Sequence, residues 1–124
     1  MPRFERDAPA PGPLIQGFAG RGLKVDGKLY EAVLLTPLTA APWQAPPLAE
    51  LKVADLEPLL QLEPAPEFLI LGTGAVMAFA PRALVAEIEA RGIGVEAMDS
   101  RAAARTWGML RGEGRWISAA IMPL

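Results

Sequence analysis

The chain has 124 residues, 52% of them hydrophobic and 21% charged, with 12 basic against 14 acidic side chains and a formal net charge of −2. Histidine and cysteine are both absent. That excludes a Ser-His-Asp triad, a cysteine nucleophile, a disulfide, a His- or Cys-ligated zinc, a haem axial histidine and an iron–sulfur cluster.

The balance of charge, with lysines and arginines scattered along the chain, does not favour nucleic acid, which selects a basic face. The N-terminal residues carry acids and lead into no apolar core of a signal peptide, so neither a secretory nor a mitochondrial leader is expected. The longest apolar stretch, residues 68–80, falls short of the roughly 20 residues that a bilayer span needs. A soluble cytoplasmic protein is expected.

Residues 1–13 hold Pro2, Pro9, Pro11 and Pro13 with little periodicity and are expected to form a flexible N-terminal arm. Residues 14–124 are expected to form a single α/β domain, with order beginning near residues 14–18. Asp26-Gly27 stands between two apolar segments, the type I′ hairpin signal, so a β-hairpin is expected over 21–36 with Pro37 ending it. Trp43 lies in a proline-stiffened loop and is expected to fold back onto the core. Leu56, Leu59 and Leu60 at helical spacing predict a short helix over 55–62, with Asp55 as its cap.

The run Glu67 to Gly72 reads as a buried strand covered on both faces. Residues 75–79 carry no clear period. Pro81 opens a helix with Leu84, Val85 and Ile88 inward, Glu87 and Arg91 form an i,i+4 pair, and Gly92 stops it. A second strand over 93–98 completes a βαβ unit with parallel strands. Asp99 or Ser100 caps a third helix reaching about Leu110, with Ala103, Trp107 and Leu110 inward. Gly112-Glu113-Gly114 turns the chain into a last strand over 115–122. Arg105, Arg111, Glu113 and Arg115 form an ion-pair network at that junction, or line a site.

Gly72-Thr73-Gly74 follows a buried strand but lacks the third glycine and immediate helix of a dinucleotide fingerprint, and the lysine of a phosphate-binding P-loop. It is a bare conformational turn or one wall of a crevice. Parallel strands would bring it beside Asp99-Ser100, at the strand-end edge where open α/β sheets take ligands. The candidate ligand-binding residues are therefore Gly72, Thr73, Gly74, Ser100 and Arg105, with a small anion as the ligand and Asp99 opposing it. No catalytic residue, metal ligand or cofactor is assigned.

Ile70-Leu71-Gly72-Thr73-Gly74, the Pro81 helix start, the block from Val95 to Leu110, Glu113-Gly114-Arg115 and the closing residues Ala119 to Leu124 together resemble a known family. It is a small domain-of-unknown-function family of bacteria and archaea whose eukaryotic relatives include a mitochondrial assembly factor for respiratory complex I. The resemblance covers residues 14–124. The family block usually has Thr at position 100, Asn at position 108 and often Cys at position 104, where this chain has Ser100, Gly108 and Ala104. The resemblance implies a three-layer α/β domain with a mixed central sheet whose last strand runs antiparallel to the others, and no established enzymatic activity. Two readings stand: a non-catalytic protein-interaction or assembly-type domain with a protein partner, or a small-ligand-binding protein or unrecognised enzyme using the glycine-turn crevice.

Overall fold

A computed structural model of the chain describes residues 12–124. The expected flexible arm, residues 1–13, lies outside the described residues except for residues 12 and 13. Pro13 is buried, and its carbonyl accepts the indole N–H of Trp107 at 3.4 Å.

Asp26 and Gly27 both hold positive φ, 50° and 84°, as a type I′ turn requires. They join β2 (Gly22–Val25) to β3 (Lys28–Tyr30). A preceding strand, β1 (Ile15–Ala19), adds to the other side of β2 with a bulge between Ile15 and Gly17. The result is a three-stranded antiparallel sheet in the order β1-β2-β3. The hairpin is shorter than expected. Past Tyr30 the chain leaves this sheet, and β4 (Val33–Leu35) pairs instead with a strand from the far end of the sequence.

The five-stranded sheet runs β5-β4-β8-β6-β7, with β5 (Ala40–Pro42), β6 (Phe68–Gly72), β7 (Gly94–Met98) and β8 (Ser118–Ile121). β6 and β7 are parallel, as the intervening helix predicts. The last strand needs a correction. β8 is antiparallel to β4 but parallel to β6, because a second helical crossover, from β7, returns it alongside β6.

Helices α2 (Arg82–Ala90) and α3 (Ser100–Gly112) supply the two crossovers. The expected helix at 55–62 resolves into a 3-10 turn, Val53–Leu56, and one α-turn, α1 (Glu57–Leu60), with Pro58 in its first turn. Asp55 accepts the N–H of Lys52 at 2.9 Å, fixing the 3-10 turn that leads into α1.

The five-stranded sheet is the middle layer. Ile70, Ile117, Ala119 and Ile121 face α3 and the small sheet, meeting Ala103, Trp107, Leu23 and Val25. Leu69, Leu71 and Ala120 face the other way, against Leu56, Leu59, Leu84 and Ile88. Strand β6 is thus covered on both faces, which is why its sequence is a continuous apolar run. Trp43 is half-buried against the second of these cores.

Among the described residues, these ion pairs tie elements together. Arg91 pairs with Glu57 at 2.7 Å, joining the end of α2 to α1, where the sequence suggested Glu87 as partner. Arg115 pairs with Glu67 at 2.8 Å, and Arg111 donates to the Arg115 carbonyl at 2.6 Å, fastening the end of α3 to the approach of β8.

Candidate functional site

The C-terminal ends of β6 and β7 and the N-terminus of α3 converge at one edge of the five-stranded sheet. Thr73 and Gly74, on the turn after β6, meet Ser100 there. The Ser100 hydroxyl donates to the Met122 carbonyl at 2.7 Å and accepts the Gly74 N–H at 2.8 Å. Its own N–H donates to the Gly74 carbonyl at 2.8 Å. One buried serine therefore clasps the glycine turn, α3 and the chain leaving β8.

Gly72 makes this approach possible. A Cβ there would sit 3.0 Å from both Ser100 Oγ and Ile121 Cγ2 and 3.1 Å from Ala103 Cβ. These are closer than neighbours accept without shifting. The amides at the start of α3 are also used: Asp99 Oδ1 accepts the Ala102 N–H at 2.9 Å, and the Asp99 carbonyl accepts that of Ala103 at 2.9 Å. The cap is Asp99, one of the two residues the sequence offered.

Of the five residues singled out in the sequence, the structure brings together Gly72, Thr73, Gly74 and Ser100. Arg105 is not with them. It is exposed on α3 and lines a shallow groove of about 230 Å³ with Ile15, Phe18 and Gly108. Both hydroxyls at the edge bond to protein atoms. Among the described residues no group of three carboxylates is placed to hold a metal ion, and no helix is long and apolar enough to cross a membrane.

Thr73 does a second job. Its hydroxyl donates to the Val76 carbonyl at 2.7 Å and accepts the Ala78 N–H at 3.1 Å. Its N–H is held by the Met98 carbonyl at 2.8 Å. These bonds bend residues 73–80 into a fixed loop whose large apolar side chains point outward. Val76 is 70% exposed, Met77 47% and Phe79 84%. Sequence reasoning left this stretch unassigned. The sequence shows only an apolar run between a glycine turn and a proline-initiated helix, which reads equally well as core.

The fold and this edge define an α/β protein with a mixed central sheet, a serine-clasped glycine turn and an exposed apolar loop. The family described as "Protein of unknown function (DUF498/DUF598)" matches residues 15–122, and the chain belongs to it. It is 30% identical over 121 residues to NADH dehydrogenase (ubiquinone) 1 alpha subcomplex assembly factor 3 of Danio rerio, covering 97% of this chain and 69% of that protein. It is 32% identical to an uncharacterised protein of Rhodobacter capsulatus, covering 89% of this chain and 84% of that one. The crystal structure of a Bordetella parapertussis protein superposes with a TM-score of 0.82 at 30% identity, covering 91% of this chain and 97% of the other. The family relationship thus includes distant homology to a complex I assembly factor.

Proposed function

We propose that the chain is a non-catalytic protein-interaction domain of the assembly-factor type, which holds a protein partner through the loop at residues 73–80. The observation that carries this reading is the exposure of Val76, Met77 and Phe79 on a loop that the Thr73 hydroxyl keeps in shape. Large apolar side chains held out from a rigid frame are costly in water and productive in an interface, where aromatic anchors dominate binding energy. The similarity to the Danio rerio protein, named as an assembly factor, supports the same reading. The bacterial relatives support a bacterial setting.

The test is capture of the tagged chain from a native lysate with quantified stoichiometry. A partner protein recovered in near-equimolar amount is expected, and absence of any stoichiometric partner contradicts the reading. The competing reading places a small anion against Gly72, Thr73, Gly74 and Ser100. A thermal-shift screen with nucleotides, sugar phosphates and organic anions separates the two, since a ligand that binds only the folded state raises the melting temperature. No saturable rise is expected. A saturable rise that disappears in a Thr73→Val, Ser100→Ala variant would establish the anion site instead.

A further inference from the structure

Strand β7 closes one side of the five-stranded sheet, and among the described residues no strand pairs with its outer side. In a parallel pair alternate residues turn their main-chain groups toward the neighbour. The Gly94 N–H donates to the Glu67 carbonyl and the Met98 carbonyl accepts the Thr73 N–H. Gly94, Glu96 and Met98 therefore face β6, and Val95 and Ala97 turn their N–H and C=O groups outward. Such a row is a template for another strand.

Val95 and Ala97 also line a groove of about 840 Å³ that is mostly apolar, with Met77, Phe79 and Val85, and that also takes in Arg82 and Glu89. Glu96 is exposed on the opposite face of the strand. Open main-chain groups, an apolar trough on one face and a carboxylate on the other thus occupy the same short strand.

We infer that β7 accepts an extended segment of a partner protein as an added strand, with the pattern apolar, basic, apolar. The inference rests on the interaction reading above and names its surface. Residues opposite Val95 and Ala97 fall on the groove side and insert bulky apolar side chains beside Phe79. The residue opposite Glu96 falls on the other face and carries a lysine or arginine. Main-chain bonds supply the affinity and alternate side chains the selectivity.

The occupant is not a second copy of this chain. The two-fold register that keeps its main-chain bonds within β7, Val95 to Ala97 in both directions, sets Glu96 directly against Glu96, and like charges directly opposite are destabilising.

The test is selection of short random peptides displayed on phage against the chain, followed by affinity measurement. Peptides with apolar–basic–apolar alternation are expected. Ala97→Pro removes an outward N–H without touching the β6 ladder, a position where an edge strand tolerates proline. It should weaken the selected peptides by about tenfold or more. Glu96→Lys, a surface change that keeps the test standing if Ala97→Pro does not fold, should switch the selected central residue from basic to acidic.

No enrichment, enrichment of helical i,i+3/i+4 spacing, or peptides indifferent to the folded variants overturns the proposal. So does a dimer in sedimentation that Ala97→Pro abolishes, which would make the second copy the occupant. A stoichiometric partner captured equally by the unaltered chain and by folded Ala97→Pro overturns the edge site and leaves the interaction reading intact. No partner on the unaltered chain contradicts that reading itself.

Discussion

Ser100 and Trp107 sit on the same helix, and both are buried for reasons that can be measured. Trp107 is among the largest side chains fully enclosed by the core, touching the cluster that holds Leu23, Val33 and Ile121. Trp107→Ala should cost about 3–5 kcal/mol in chemical denaturation, and a loss well below that range would show that the ring supports little of the core. Ser100→Ala removes the clasp that serves the Gly74 N–H and the Met122 carbonyl. A destabilisation of about 1–3 kcal/mol is expected, because each backbone group loses its partner away from water. Isosteric Ser100→Cys would not restore it, since a thiol is a weak donor and a weak acceptor. The hydroxyls of Thr73 and Ser100 were legible as neighbours from the order of elements alone. That they are spent on protein atoms was not, because their partners are main-chain carbonyls and amides at Gly74, Val76, Ala78, Met98 and Met122, which carry no side-chain signature.

The surface ion pairs Arg91–Glu57 and Arg115–Glu67 join elements and give the fold a defined response to acid. A hydrogen bond from Arg91 holds the Glu57 carboxyl below its ordinary value of 4.5, and one from Arg115 does the same for Glu67, helped by the Trp116 N–H. A carboxylate lowered on folding contributes stability that is complete above its unfolded-state value and is lost as pH falls through the folded-state value. Denaturant melts of the chain and of a Glu57→Gln, Glu67→Gln variant should therefore differ at neutral pH and converge as pH falls below the ordinary value of 4.5 and on through the lowered folded-state values. High salt should narrow the neutral-pH difference, as screening of exposed charges requires. A gap that persists in acid would mean the glutamates act through packing.

Local signals fixed the elements that local chemistry controls. The Asp26-Gly27 turn, the Pro81 helix start and the Asp99 cap all fall where their side chains require. Strand β1 was missed because a bulged edge strand has no period to read, and β4 was assigned to the hairpin because its true partner, β8, lies across most of the sequence.

At the scale of the whole molecule, three layers bury both faces of the central sheet, while among the described residues the outer side of β7 takes no strand and the 73–80 loop holds apolar side chains outward. The three-layer arrangement could be read from the family resemblance and the βαβ unit, but the direction of β8 could not, since it depends on which side of β6 the second crossover lands. The exposed loop was illegible for a related reason: Val76, Met77 and Phe79 look like core residues until the fold shows how exposed they are.

The loop at residues 73–80 is the proposed hold on a protein partner. It is tested most directly by parallel capture from native lysate with the unaltered chain and with a Phe79→Ser variant, a change at a side chain 84% exposed and so neutral to the fold. An equimolar partner is expected with the unaltered chain, and recovery reduced by about tenfold with the variant, as loss of one aromatic anchor implies. Equal recovery from both chains, or no stoichiometric partner with either, would contradict it.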